Sequence, residues 1–455
     1  MVLKMNHHIT RWLPIGWALR KSFADGYNFK DFKADVMAAF VVSLIALPLS
    51  MSLSIAVGLP PQHGIYTAIV AGIVASFFGG SSFQINGPTA AFVVILIPIV
   101  ADLGLRGLIW CQILAGFLLI LFGLVKLGKL IQYVPDEVTI GFTSGIALVL
   151  ATFSLKDFLG LPIEKMGHDS IKVIFNLVTH LPLLQWPDAI VGIMTLTIVV
   201  WTKGKIKWLP SPIIGVTAGT LLSIVLIQAG FPIMTIGTQF QYDLNGILHQ
   251  GLPPYPPIFQ MPTFNAGSLL TIPSWEELKI MLWPALVIAI LAALESLLCA
   301  TIADNLTQTQ HHPNAELRGI GMANILTGMA SGIPATAAIA RTATNIQNGA
   351  KSPISGILHA VFVLFYVLLF ARLMSAIPMS ALAALLILTA FYMSHLKQFQ
   401  HILSTAPVWD KMTLVVTFTL TVLMDMVMGI SVGMILTMFN YILRTMGFRK
   451  TSIER

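Results

Sequence analysis

The sequence predicts an all-α polytopic membrane protein of about fourteen spans, folded as a seven-plus-seven inverted repeat whose third and tenth spans are half-helices. Three observations carry this. The first is composition: the 455-residue chain is 56% hydrophobic and 10% charged, with a mean hydropathy of +0.84. A soluble globular protein averages roughly 25% charged residues. The second is that apolar runs recur from about residue 35 to about residue 445, at lengths suited to crossing a bilayer. The third is a pair of similar stretches. Gly72-Ile-Val-Ala-Ser-Phe-Phe-Gly79 is followed by Gly87-Pro88-Thr89-Ala90-Ala91. Gly321-Met-Ala-Asn-Ile-Leu-Thr-Gly328 is followed by Ile333-Pro334-Ala335-Thr336-Ala337-Ala338.

The apolar runs place spans at about 35–56, 62–79, 88–101, 107–125, 135–153, 187–202 and 211–229, then at 280–303, 316–331, 335–348, 353–371, 376–393, 410–425 and 428–445. Each set of seven carries its motif in its third span. Seven is odd, so the second half must enter the bilayer from the opposite side to the first. The third and tenth spans hold about 14 residues each, where a full crossing needs about 20. The organisation is then an N-terminal segment 1–33, a first repeat 34–229, a loop 230–279, a second repeat 280–445 and a tail 446–455.

Orientation follows from Lys and Arg. The connections Lys126–Lys129, Lys203–Lys207 and Lys397–Lys411, the stretch near Arg318, and Lys351 are assigned to the cytoplasm. The Ala229–Leu278 loop holds no Lys or Arg and is assigned outside. The mixed connection Lys156–Lys172 also goes outside. Both termini are then cytoplasmic, in agreement with Arg11, Arg20, Lys21, Lys30 and Lys33 at one end and Arg449, Lys450 and Arg455 at the other. A cell inner membrane is the expected location. The N-terminal segment, with Trp12 and Trp17 among its basic residues, carries no secretory signal and reads as an interfacial amphipathic segment. The proline-rich outer loop (Pro253, Pro254, Pro256, Pro257) reads as a compact extended cover. Ser274-Trp-Glu-Glu277 reads as a helix start.

The short spans direct attention to their N-termini. Pro88 and Pro334 are each expected in the first turn of a helix, followed by small residues that leave backbone N–H groups uncovered. A helix start carries partial positive charge and free donors, so two of them at matching places suit an anion and suggest a transporter's binding site. Glu295 lies mid-span among apolar neighbours, where a carboxylate is costly and normally faces a cavity. It is a candidate coupling site, by protonation or by holding Na⁺; a structural hydrogen bond to a neighbouring span is the alternative. Arg341, about two turns into the tenth span, could supply field to an anion, line the access path, or pair with Glu295 or a backbone carbonyl. Pro48 breaks or kinks the first span, with Ser50 and Ser52 able to satisfy freed backbone groups.

Other features carry less chemistry. Asp304, Asn305, Thr307, His311 and His312 have no third metal ligand at metal spacing and read as a solvated cytoplasmic loop, so no metal site is expected. Cys111 and Cys299 fit neither a disulfide framework nor a metal site. No nucleophile–base pair lies within the spans, so an enzyme is not expected. The net charge of +7 sits in connections and termini and does not point to nucleic acid. Asp425 reads as interfacial.

Several motifs in this order resemble the SulP (sulfate permease-like) anion transporter family, relatives of prestin and pendrin. They are Leu47-Pro48 with Gly58-Leu-Pro-Pro61 and Gly64-Ile-Tyr66; Gln84-Ile-Asn-Gly-Pro-Thr-Ala-Ala-Phe92; Glu295 to Thr307; His311 with Glu316-Leu317; and Ile333 to Asn345. The resemblance spans about residues 30–445. It implies a core domain moving against a gate domain. It also implies an anion between the facing ends of the third and tenth spans, beside the first and eighth. Carried over by motif, the substrate residues are Leu49, Leu53, Thr89, Ala90, Ala91, Ala338, Ala340 and Arg341, with Glu295 for ion coupling. Position 340 is Ala where relatives often have Ser, so backbone donors would dominate. Members import sulfate, bicarbonate or dicarboxylates with H⁺ or Na⁺, or exchange anions; no other cofactor is implied. The cytoplasmic STAS domain of most members and the carbonic anhydrase domain of some are not expected here, and a homodimer is expected less strongly for that reason. An uncoupled exchanger or channel on the same fold stays open, as does a non-transporting voltage-responsive protein.

Overall fold

Prolines punctuate the apolar runs. Pro61, Pro187, Pro212 and Pro313 each sit at the first or second position of a helix, where the fixed φ fits and the missing N–H breaks no hydrogen bond. The computed structural model describes residues 16–128, 135–163, 170–206, 209–244, 246–259, 273–424 and 426–445. Arg11, Trp12, Lys129, Lys207, Asp425 and the tail 446–455 lie outside the described residues.

The first repeat contains α1 (Trp17–Ala24), α2 (Phe29–Ala56), α3 (Pro61–Phe78), β1 (Asn86–Gly87), α4 (Ala90–Leu124), α5 (Asp136–Phe158), α6 (Ser170–His180), α7 (Trp186–Thr202) and α8 (Ser211–Gln228). The outer loop holds α9 (Ile236–Gln239) and a hairpin of β2 (Gln241–Leu244) with β3 (Ile247–Gln250). The second repeat contains α10 (Trp275–Thr307), α11 (Pro313–Met329), β4 (Thr336–Ala337), α12 (Ile339–Gln347), α13 (Ile354–Met374), α14 (Met379–Met393), α15 (Leu396–Thr405), α16 (Val408–Leu423) and α17 (Met426–Thr445). Among the described residues, seven helical stretches are long and apolar enough to cross a membrane. They become eight if the pair Lys172–Leu183 and Trp186–Thr202, bent by 113°, is one span.

Two packed bodies emerge. One gathers α2, α3, α4, α10, α11, α12 and α13; the other gathers α5, α7, α8, α14, α16 and α17. They meet where α2 touches α14 and α8, and where α4 touches α5.

The motif glycines serve close helix approach. A side chain on Gly72 would strike Ala360 of α13, and one on Gly321 would strike Gly116 of α4. Small residues that let backbones meet are the usual device of membrane interfaces. Gly321→Val is therefore expected to destabilise the fold by at least about 1–3 kcal/mol, read as a lowered Tm in detergent. An unchanged Tm would show that α4 and α11 can separate freely.

Several sequence expectations are corrected. Neither Pro88 nor Pro334 sits in the first turn of its helix. Thr89 and Ala338 are the N-caps, and the residues after Pro334 form a strand. Extended backbone there pairs across the repeats, which a helix start at the proline would forbid. α4 carries the third and fourth spans end to end, and its backbone leaves helical geometry at Gly104 (φ 65°), within the expected gap between residues 101 and 107. α2 stays helical through Pro48. Ser52 Oγ donates to the Leu49 carbonyl and Ser50 Oγ has no partner, so neither serves the carbonyl one turn before Pro48. Asp304 is not simply solvated. Its carboxylate accepts from the His311 backbone N–H at 2.9 Å and contacts His311 Nδ1 at 2.7 Å, closing the end of α10. No group of metal ligands occurs among the described residues. Both cysteines are buried and free.

α1 is docked rather than adrift. Gly16 N–H donates to Phe78, Ala18 is fully buried, and Trp17 packs on His312. Beside it, buried Asp35 accepts from the Lys351 and Ser352 backbones, from Ser352 Oγ and from Tyr27. Burial and this carboxylate together push the Tyr27 phenol above its ordinary range.

Candidate functional site

The site begins with four residues of strand. β1 and β4 pair antiparallel, Asn86 with Ala337 and Gly87 with Thr336. An antiparallel pair sends its two chains away in opposite directions, so α4 leaves from one end and α12 from the other. Each helix start stays beside the ladder.

The ladder is held from behind, and each repeat holds the other. Glu316 of α11, 1% exposed, accepts from the Gly80 and Ser81 backbones and from Ser296. Gln84 donates to the Ser296 carbonyl and Asn345 to the Phe83 carbonyl. On the second-repeat side, Thr67 of α3 bonds both the N–H and the carbonyl of Ile333, and Gln112 donates to the same carbonyl. Asn324 clamps Ala335 by both polar groups, and Thr336 donates to Ala292 of α10. Three hydrogen bonds converge on this one buried side chain, and an ordinary hydrogen bond contributes about 0.5–1.5 kcal/mol, so Glu316 fixes its loop.

Both helix starts lack a side-chain cap. The first N–H groups of a helix have no acceptor within it. At α4 these belong to Ala90 and its successor; at α12 they belong to Ile339, Ala340 and Arg341. Thr89 has the right side chain to cap α4. Its hydroxyl instead donates to Glu295 Oε2 at 2.8 Å. Ala338 has nothing to cap with, and its own N–H is used on the Ile85 carbonyl.

Arg341 bridges the two starts. Its Nη2 donates to the Pro88 carbonyl at 2.6 Å, and its side chain is 4% exposed. Of the roles open to it in the sequence, binding a backbone carbonyl is realised; no ion pair joins it to Glu295 among the described residues. Ala340 beside it is exposed. Ala340, Thr344 and Asn348 share one face of α12. Thr344 and Asn348 line a cavity of about 160 Å³ with Val41, Ile45, Thr202 and Ser211. That cavity lies between the two bodies.

The remaining sequence candidates separate. Leu53 is buried in the same cluster as Ala90 and Ala91, whereas Leu49 packs with Val199, Val216 and Leu385 of the second body. Thr89, Glu295, Ala90, Ala91, Ala338 and Arg341 are gathered around the ladder; Leu49 marks the seam between bodies. Glu316, Asn324 and Thr67 were missed as supports. Their signal was present, because polar residues inside apolar spans need partners. What the sequence does not reveal is which partner each one finds.

The family model described as the sulfate permease family matches residues 32–420. A Bacillus subtilis (strain 168) protein named "Putative sulfate transporter YvdB" is 38% identical over 422 residues, covering 92% of this chain and 75% of its own. The bicarbonate transporter BicA of Synechocystis sp. is 28% identical over 418 residues, covering 89% and 69%. Among solved structures, the transmembrane domain of a cyanobacterial bicarbonate transporter BicA superposes with a TM-score of 0.76 at 27% identity, covering 89% of this chain and 98% of that one. The murine Solute Carrier 26 family member A9 anion transporter, in its inward-facing state, shares the fold at a TM-score of 0.81 and 17% identity, covering 98% and 73%. With glycine-packed apolar helices around two uncapped helix starts, the chain belongs to the sulfate permease family, whose members are membrane anion transporters and not enzymes.

Proposed function

We propose that the chain is a secondary active transporter that takes up a small inorganic or carboxylic anion, such as sulfate, bicarbonate or a dicarboxylate, with H⁺ or Na⁺. One observation carries the reading: two uncapped helix starts are braced together by Arg341, and the N-cap of one is hydrogen-bonded to Glu295. The anion sits between Ala90 and Ala91 on one side and Ala338, Ala340 and Arg341 on the other. The body holding α2–α4 and α10–α13 is the core, and the other body is the gate. Leu49 and Leu53 belong to the wall where they meet.

Glu295 supplies the coupling. Its ionised carboxylate places a negative charge beside the anion. Two like charges roughly 8 Å apart at an effective dielectric of about 20 repel by about 2 kcal/mol. A proton on the carboxylate, or Na⁺ against it, removes that repulsion, so cation and anion each favour the other's binding. The Thr89 bond to Glu295 is also what a purely structural carboxylate would make, which keeps the uncoupled exchanger as the second reading.

The fourteen-span inverted repeat, with residues 34–229 and 280–445 as its halves, is supported by the exchange of supports between them. Gly72 in the first repeat meets α13, and Gly321 in the second meets α4. Thr202, Gly204 and Ile206 line the cavity and alternate in sequence with Lys203 and Lys205, which supports a cytoplasmic face there, cytoplasmic termini and an inner-membrane location. A homodimer remains part of the proposal.

Uptake of labelled bicarbonate, sulfate and fumarate into proteoliposomes under an imposed inward H⁺ or Na⁺ gradient tests the function. One anion should accumulate with one gradient; indifference to both gradients favours exchange. The orientation has its own test. Asn348→Cys should react with a membrane-impermeant thiol reagent only from the cytoplasmic side of oriented vesicles. Reaction only from outside would reverse the assignment.

A further inference from the structure

Arg341 spends one guanidinium nitrogen on Pro88; the other, Nη1, is buried without a hydrogen-bond partner. It lies against Gly87, where a Cβ would strike it. A second buried group without a partner faces the same region. His359 of α13 is fully buried, and neither of its ring nitrogens is hydrogen-bonded. Its role is not explained by anion binding or by cation coupling as described above.

Helix geometry places the two together. His359 follows Ser355 and Gly356 by one turn, on the same face of α13. Ser355 Oγ accepts from Asn345, and Asn345 follows Arg341 by one turn on α12. Gly356 abuts Ser76 Oγ of α3 and the Gln84 carbonyl. α3, α12, α13 and the ladder thus bring a set of buried polar groups together behind the helix starts. Ser76 Oγ, Gln84 Oε1, Asn86 Oδ1 and Asn345 Oδ1 also lack partners there.

Buried polar groups are almost always hydrogen-bonded, to protein or to ordered water, and leaving one unpaired costs about 1–3 kcal/mol. A neutral imidazole has one donor and one acceptor nitrogen. An acceptor is what Nη1 needs. A bridging water is nearly as good as a direct bond.

We propose that His359 is a positioning residue for Arg341, accepting from Nη1 through a bridging water and so setting the angle at which the guanidinium faces the anion. This rests on the reading that Arg341 faces the anion.

The test uses the full chain in proteoliposomes, with labelled sulfate, bicarbonate and fumarate as probes, and KM and maximal rate measured for whichever is taken up. His359→Leu keeps the volume and removes the acceptor. It should raise KM about tenfold, the worth of a lost hydrogen bond to a charged group, and leave the maximal rate nearly unchanged. His359→Gln restores an acceptor and should recover most of the KM. Arg341→Lys lacks the second arm, so in that background His359→Leu should add nothing. Should His359→Leu not be recovered as monodisperse protein, His359→Asn replaces it with the same expectations, since its shorter amide falls short of the bridge. An unchanged KM in the Leu variant, a Gln variant as poor as Leu, or effects that multiply in the Lys background would overturn the proposal. If Arg341→Lys alone leaves KM unchanged, the anion-facing reading of Arg341 fails instead.

Discussion

Replacing Arg341 with Gln raises the KM for anion uptake at least about 100-fold, because breaking a buried charged interaction costs about 3–5 kcal/mol. The loss has two parts. The positive charge between the helix starts disappears, and the Pro88 carbonyl loses a charge-assisted bond of 2.6 Å. The bond matters because Pro88 leads directly into Thr89 and α4, so it registers one helix start against the other. Arg341→Lys keeps the charge as a single point and recovers activity only in part; it cannot hold Pro88 and present a second nitrogen at once. Initial uptake rates against anion concentration measure this. An Arg341→Gln protein with an unchanged KM would move the anion away from the helix starts.

Glu295→Gln should abolish gradient-driven accumulation while anion exchange persists. The amide carbonyl can still accept from Thr89, so the α4 start keeps its geometry. What is lost is the group that changes charge or attracts a cation. Accumulation under the effective gradient should then fall at least about tenfold, toward the no-gradient level, if the coupling is worth the 1–3 kcal/mol usual between linked sites. Exchange of internal for external labelled anion should remain within a few-fold of the original rate. Unchanged accumulation would return Glu295 to a structural role. Loss of accumulation and exchange together would mean that the Thr89 contact needs a carboxylate.

The helical membrane fold class and the nearness of the two motif stretches to helix starts were legible because they depend on local signals. Long apolar runs mark spans, and the repeated Gly-x6-Gly with its small-residue stretch marks the helix starts. The pairing of β1 with β4 was not legible. Each strand has two residues, too few for any alternation, and the partners lie about 250 positions apart. That pairing explains why the prolines sit outside the helices.

Other misses had weak signals that went unused. Asn245-Gly246 between Gln241–Leu244 and Ile247–Gln250 is the usual mark of a tight hairpin, yet the loop read as an extended cover. α6 buries Val173 and Leu177, four positions apart on one helical face, where the sequence reading places only a connection between spans. Asp35 and Glu316 carry no structural role in the sequence reading; both are buried acceptors for loops distant in sequence. Only the three-dimensional fold brings those loops to them.

The most direct measurement is anion protection of a thiol at the helix start. Ala340 is exposed at the first turn of α12, and cysteine there adds a single reactive atom. In Ala340→Cys, alkylation by a small charged reagent should slow at least about tenfold with the transported anion at a large excess over its Kd, since occupancy then exceeds about 90%. Asn348→Cys, two turns further along the same face, should slow little. Equal rates at position 340 with and without the anion would place the substrate elsewhere and contradict the assignment of the paired helix starts as its site.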